Sequence, residues 1–218
     1  MPSTRYQKIN AHHYRHIWVV GDIHGEYQLL QSRLHQLSFF PEIDLLISVG
    51  DNIDRGPENL DVLRLLNQPW FTSVKGNHEA MALEAFETGD GNMWLASGGD
   101  WFFDLNDSEQ QEAIDLLLKF HHLPHIIEIT NDNIKYAIAH ADYPGSEYLF
   151  GKEIAESELL WPVDRVQKSL NGELQQINGA DYFIFGHMMF DNIQTFANQI
   201  YIDTGSPNSG RLSFYKIK

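Results

Sequence analysis

Three short motifs place side chains that can bind a metal immediately after a glycine. They are Gly21-Asp22-Ile23-His24-Gly25, Gly50-Asp51-Asn52-Ile53-Asp54-Arg55-Gly56 and Gly76-Asn77-His78-Glu79. Two later segments, Ala139-His140-Ala141-Asp142 and Gly186-His187, repeat the device with histidine. Together Asp22, His24, Asp51, Asn77, His140 and His187 offer three imidazoles, two carboxylates and one amide. That donor set is too large for one tetrahedral zinc ion. It suits two divalent ions that share a carboxylate, roughly 3.5–4 Å apart, as in two-metal hydrolytic sites. Asp22 and His24 alternate by two residues and can face one ion, and Asp51 is the best candidate bridge. Charge favours an amide at position 77. Two divalent ions, less two carboxylates and a hydroxide, leave positive charge to hold a phosphate dianion, and a further carboxylate would cancel much of it. Such ions also make hydroxide available near neutral pH by lowering the pKa of bound water.

These donors are remote in sequence, so the fold must gather them. Short β-branched or aromatic runs lead into the motifs: Ile17–Val20, Leu45–Val49 and Phe71–Val74, then Ile126–Ile129, Tyr136–Ala139, Tyr182–Phe185 and Gln199–Ile202. They read as strands, several of them buried on both faces. Helical patterns over 26–38 and 57–67 separate the first three strands. Leu30, Leu34 and Leu37 form one apolar stripe, while Pro57 opens the second helix and Leu60, Leu63 and Leu66 turn inward. A third helix is expected over 108–121, with Ser108 and Gln111 as a capping box and Ile114, Leu117 and Leu118 as its apolar face. The first half therefore reads β–α–β–α–β, with parallel strands joined by right-handed crossovers. The second half reads as a mixed or antiparallel sheet. In such α/β sheets the loops at the carboxyl ends of the strands line one crevice, where the motifs converge. The stretch 141–180, broken by glycine and proline, reads as a rim or lid. No linker divides the chain, so 1–218 is expected to be a single catalytic domain.

Composition narrows the function classes. The 218 residues carry 30 acidic and 15 basic side chains, a formal net charge of −15, which disfavours nucleic acid or an anionic membrane as partner. Cysteine is absent, so thiolate nucleophiles, disulfides and cysteine-bound metals are excluded. The N-terminal residues lack an apolar signal core and no stretch is apolar enough to span a bilayer, so the expected location is the cytoplasm. With no long coiled coil or repeat, a monomer is expected.

In their order and spacing, the three glycine-led motifs resemble those of the PPP family of metal-dependent serine/threonine protein phosphatases. Trp70-Phe71, Gly98-Gly99-Asp100-Trp101-Phe102, His140-Ala141-Asp142-Tyr143-Pro144 and Tyr201-Ile202-Asp203-Thr204-Gly205 resemble its bacteriophage-lambda branch, and the likeness runs from about residue 5 to the C-terminus. The resemblance implies an α/β metallophosphatase fold, a four-layer α-β-β-α sandwich of two mixed sheets flanked by helices. It implies that Asp22, His24 and Asp51 bind one ion and Asp51, Asn77, His140 and His187 the other. Manganese is the usual ion in the family, with zinc, iron or nickel as alternatives. His78 resembles the family's general acid, Asp54 the carboxylate that holds it, and Arg55 the guanidinium that grips phosphate oxygens. The implied reaction is hydrolysis of phosphoserine and phosphothreonine in phosphorylated proteins or peptides by one-step attack of a bridging hydroxide. Phosphotyrosine and aryl phosphates are plausible side substrates, and the implied setting is bacterial. A dinucleoside-polyphosphate or cyclic-nucleotide esterase on the same metal core is the alternative. A phosphopeptide-binding module without turnover is disfavoured by the presence of His78 and Asp54.

The chain departs from that branch in three places. Relatives commonly read Trp-x-Arg where this chain reads Trp161-Pro162-Val163-Asp164-Arg165, so Arg165 contacts phosphate only if the loop shifts. Lys75 stands where relatives usually have arginine, and Met188-Met189 where they have Thr-Pro. His12, His13, His16, His35, His121, His122 and His125 read as surface or helix-end residues and not ligands. Glu79 is expected to support its loop, and Trp18, Trp70, Trp94, Trp101 and Trp161 to anchor core or loops.

Overall fold

A computed structural model describes residues 4–218. The chain runs β1 (Tyr6–Asn10), β2 (Ile17–Val20), α1 (Tyr27–Gln36), β3 (Leu45–Ser48), α2 (Asn59–Arg64), β4 (Phe71–Ser73), α3 (Asn77–Thr88), α4 (Asn92–Ala96) and α5 (Asp107–Leu117). It continues through β5 (Ile126–Asn131), β6 (Ile134–Ile138), α6 (Ser157–Leu160), α7 (Asp164–Leu170), β7 (Tyr182–Phe185), β8 (Gln194–Phe196), β9 (Gln199–Tyr201), α8 (Ser206–Ser209) and β10 (Phe214–Lys216). Two sheets form, in the orders β1-β5-β6-β7-β9-β8 and β10-β2-β3-β4. Alternation along the strands decides which residues meet. Ile17, Val19, Leu45 and Ile47 face Ile127, Ile129, Ile138, Ile184 and Ile200 between the sheets. Val20, Leu46 and Phe71 point the other way, onto Leu30, Leu34, Val62 and Leu65 of the helical layer. On the far side Ala137, Phe183, Phe185 and Tyr201 pack against Leu159, Leu160 and Val166. Each such aliphatic side chain contributes about 1.5–3 kcal/mol on burial. The result is the expected four-layer sandwich of two mixed sheets between helices.

Strands β2, β3 and β4 pair parallel, as the β–α–β–α–β reading requires, with Val20 opposite Ser48 and Ser48 opposite Ser73. Their carboxyl ends therefore finish together, which brings Asp22, Asp51 and Asn77 to one edge. In the larger sheet β6 and β7 are also parallel, with Ile138 opposite Ile184, and Gly186 N–H donates to the His140 carbonyl at 2.8 Å. His140 and His187 thus leave from the matching edge.

The helices differ from expectation in detail. The second helix begins at Asn59, not Pro57. The Asn59 side chain accepts the Asp54 N–H at 2.6 Å and donates to the Gly56 carbonyl at 2.7 Å, so residues 54–58 are held as loop. The third begins one residue earlier, at Asp107, because Asn106 and Glu109, not Ser108 and Gln111, make the capping box. Its buried face is correspondingly Ala113, Leu116 and Leu117, and Leu118 is exposed. Helix α3 starts inside the third motif and was not marked by any cap signal. The rim over 141–180 contains α6 and α7. Among the described residues no helix is long and apolar enough to cross a membrane.

His125 is buried, which corrects its surface reading. Its Nδ1 accepts the Arg5 N–H at 3.0 Å, so Nε2 carries the proton and donates to Glu156 at 3.2 Å. Lys75, also buried, reaches the same carboxylate at 3.0 Å and so ties the rim to the end of β4. The hydrogen bond from His125, then Lys75, outweighs desolvation and lowers Glu156 from its usual 4.5 to about 2. A depressed carboxylate stabilises the fold fully above its unfolded pKa and loses that contribution as pH falls through the folded one. Denaturant unfolding of the metal-free chain should show Glu156→Gln destabilised at pH 6, with the two proteins converging as pH falls from about 4.5 toward 2. A constant gap across that window would contradict the assignment.

Candidate active site

Asp51 sits at the centre of the gathered loops. Its Oδ2 is 3.8 Å from His24 Nε2 and 3.9 Å from His78 Nε2, and its Oδ1 is 3.4 Å from His140 Nε2. Ligand atoms of His24, Asp51 and His78 lie within 4.8 Å of one another, and so do those of Asp51, His140 and His187. Asn77 Oδ1 stands 2.8 Å from His140 Nε2 and 3.0 Å from His187 Nδ1. Asp22 accepts the His187 backbone N–H at 3.0 Å. His24, Asp51, His140 and His187 therefore fall into two groups that share Asp51, with Asn77 against the second and Asp22 touching it through the His187 N–H. One difference is that the first group contains His78, the expected acid, rather than Asp22.

Hydrogen bonds orient the rings. His24 Nδ1 and His140 Nδ1 each lie 2.8 Å from a backbone carbonyl, of Ile53 and Val49. Both nitrogens donate there, which leaves the Nε2 lone pairs aimed inward, the arrangement that second-shell carbonyls impose on metal-ligating histidines. Burial opposes a charge on His140, yet Asp51 foremost raises its pKa above the ordinary value, so the space between His140 Nε2, Asn77 Oδ1 and Asp51 attracts positive charge, which a divalent ion would equally supply. Asp22 makes the same demand. It is 2% exposed and, among the described residues, has no cationic side chain within hydrogen-bonding reach. Burial, then Asp203 and Asp51, push its carboxyl well up. Asp51 is buried too, yet His140, His78 and His24 overcome that desolvation and hold it well below the usual range. Burial foremost takes His24 to about 3 and His187 to about 4, so both are neutral at pH 7, as ligands must be. Mixed imidazole, carboxylate and amide donors suit first-row divalent ions, and these residues fit them.

The backbone here is held in unusual conformations. His24, Asp51, Asp54, Arg55 and His187 have φ of 47°, 50°, 77°, 70° and 63°. Each left-handed non-glycine residue costs on the order of 1–3 kcal/mol and persists only where its surroundings over-determine it. Glu79, fully buried, supplies part of that support. Its carboxylate accepts the Asp51 and Gly76 N–H groups, both at 2.8 Å, and the Asn52 N–H at 2.7 Å. At Gly50 (φ 95°) a Cβ would stand 2.7 Å from Gly76 N and 2.9 Å from His140 Nδ1, so no side chain fits.

Beside the shared carboxylate, His78 Nδ1 lies 2.6 Å from Asp54 Oδ2. Burial opposes a charge on His78, but Asp51 and Asp54 together pull its pKa above the ordinary value. Arg55 is solvent-exposed and spans the site: NH1 donates to His24 Nε2 and NH2 to His78 Nε2, each at 3.1 Å. A planar cationic fork thus stands over the mouth of a metal-competent cluster, next to a carboxylate–imidazole pair. That arrangement suits a phosphate ester, with donors for its oxygens and a proton carrier for its leaving group.

Residues 15–190 match the family of calcineurin-like phosphoesterases. The chain belongs to that family. It is 99% identical to serine/threonine-protein phosphatase 2 of Escherichia coli (strain K12) and 61% identical to serine/threonine-protein phosphatase 2 of Salmonella typhimurium, each over 100% of both chains. Among solved structures, a candidate diadenosine tetraphosphatase superposes with a TM-score of 0.72 over 98% of this chain and 94% of that one, at 22% identity.

The structure adds contacts to the phosphoesterase site that the sequence reading lacks. Arg165 is buried: its Nε donates to Asp142 at 2.8 Å, NH2 donates to the Tyr143 and Gly145 carbonyls at 3.0 and 2.7 Å, and NH1 reaches Gln175 at 3.4 Å. In this arrangement its donors fasten the loop after His140, and a contact with phosphate would still require that loop to shift, the condition set by the sequence reading. Trp94 and Trp101, read as core or loop anchors, both donate their indole N–H to Asp54. Asn59, which knits the loop of residues 54–56, was also missed. Its only sequence signal is an amide on the otherwise apolar face of α2.

Proposed function

We propose that this phosphoesterase is a metal-dependent serine/threonine protein phosphatase of the PPP type, acting as one catalytic domain over 1–218. The observation that carries the reading is the Arg55 fork and the Asp54–His78 pair standing against the shared carboxylate Asp51. Full-length identity to two proteins called serine/threonine-protein phosphatase 2 supports it. Asp22, His24 and Asp51 would hold one divalent ion and Asp51, Asn77, His140 and His187 the other, with Mn2+ the preferred ion. Bound there, two such ions supply Lewis acidity toward phosphate oxygens and lower the pKa of water. The rest falls to the chain's own groups. Arg55 binds non-bridging phosphate oxygens and in doing so leaves His24 and His78. His78 Nε2, protonated, then gives its proton to the ester oxygen as that P–O bond breaks and a water-derived oxygen takes its place on phosphorus, because a serine alkoxide is a poor leaving group. Asp54 holds Nδ1 and stabilises the charged ring. The products are serine or threonine and inorganic phosphate.

Phosphorylated proteins or peptides are the proposed partners, the cytoplasm the location and a monomer the working form. A dinucleoside-polyphosphate esterase is the competing reading, but a likeness at 22% identity speaks for the fold alone. A panel of phosphoserine protein, dinucleoside tetraphosphate and cyclic nucleotide decides between them. The highest kcat/KM is expected on the phosphoprotein, and a preference for either nucleotide would reassign the enzyme.

A further inference from the structure

We propose that Trp94 and Trp101 are positioning residues that hold the Asp54 carboxylate in the orientation from which it directs His78. The proposal rests on the reading of His78 as proton donor. Asp54 is fully buried, and its two oxygens have a small set of partners. Oδ2 faces His78 Nδ1 at 2.6 Å. Trp94 Nε1 straddles both oxygens, at 2.9 Å from Oδ1 and 3.1 Å from Oδ2, and Trp101 Nε1 meets Oδ1 at 2.8 Å. An indole N–H can only donate, so neither partner can turn and compete with His78 for a proton. Two donors from different directions set the plane of the carboxylate, and that plane sets the direction in which the His78 ring points.

The tryptophans are themselves braced. Their rings cross edge to face at 88° with centroids 6.2 Å apart. Gly99 lies under Trp94 so closely that a Cβ would stand 2.5 Å from its Cε2. The same segment also reaches the next residue of the loop, since the Gly98 carbonyl accepts the Arg55 N–H at 3.2 Å. Residues 94–101 therefore close over Asp54 and Arg55, the consecutive pair held at positive φ. Tryptophans that merely satisfied their N–H groups would have no need to converge on one carboxylate.

The test is a kinetic cycle with manganese present, using Trp101→Phe, Trp94→Phe and Asp54→Asn on a phosphoserine peptide and on p-nitrophenyl phosphate. Phenylalanine keeps an aromatic ring and removes the donor. Trp101 is half-buried, so its variant is the one expected to fold normally, which thermal unfolding would verify. Loss of a hydrogen bond to a buried charge should lower kcat on the phosphoserine peptide about 10-fold or more, with KM little changed. Turnover of the aryl ester, whose leaving group needs little protonation, should fall far less. In an Asp54→Asn background the Trp101→Phe change should add less than about twofold, since the group it acts through is gone. Equal losses on the two substrates, or an undiminished effect in the Asp54→Asn background, would overturn the proposal. If the unsubstituted chain does not turn over phosphoserine at all, the phosphatase reading falls instead. The same cycle on an alkyl and an aryl form of whichever ester it hydrolyses still decides the role of the tryptophans.

Discussion

Asp51→Asn should reduce turnover of a phosphoserine protein by about a thousandfold or more, a loss of at least ~4 kcal/mol of transition-state stabilisation. The expectation follows from Asp51 being, among the described residues, the one common to both metal-competent groups, with oxygens facing His24, His78 and His140. An amide keeps the size of the side chain and can still accept the His78 backbone N–H, now made at 3.0 Å, so the fold should survive. What disappears is the shared negative charge. Residues that only orient metal ligands cost about 10–100-fold in affinity when replaced, and a shared ligand should cost more at both positions. Equilibrium dialysis with manganese should therefore show weakened binding at two sites rather than one. Loss at a single site would mean that Asp51 is not shared.

The second large effect concerns the proton. His78→Asn should lower kcat on a phosphoserine peptide by about 10²–10⁴-fold, the usual contribution of a general acid. On p-nitrophenyl phosphate the loss should be much smaller. Asparagine can occupy the space beside Asp54 but cannot deliver a proton. Comparable losses on both esters would remove His78 from the role of acid and leave it as a structural or metal-binding member of the group it shares with His24 and Asp51.

Much of the site was legible because its donors follow apolar runs that stop at glycine. A run as short as Leu45–Val49, ending in glycine, reads as a buried strand, and Gly50 then allows the chain to turn within reach of Gly76 and His140. The parallel order of β2, β3 and β4 follows from the helices between them. The edges were harder to see. β1 carries the exposed Gln7 and Lys8, and β10 has three residues, so neither shows the pattern of a strand buried on both faces. Helix α3 carries no sequence signature because its N-cap is Gly76, which has no capping side chain, and Glu79 alone closes the first turn. Partnerships made across long separations were invisible. Trp94 and Trp101 reach Asp54 across 40 and 47 residues, and Arg165 reaches Asp142 across 23. Spacing cannot announce such contacts, because packing of separate layers creates them.

Acidity and phosphate chemistry are compatible once the site is separated from the surface. Few of the thirty acidic residues lie in the cluster, and two divalent ions would make that pocket locally positive within a chain of net charge −15. The most direct test of the account is release of inorganic phosphate from a phosphoserine-labelled protein by the purified chain, with manganese and after removal of metal by a chelator. The account predicts rapid release with manganese, none after chelation and recovery when manganese is restored. Release that continues undiminished in the stripped protein would contradict it.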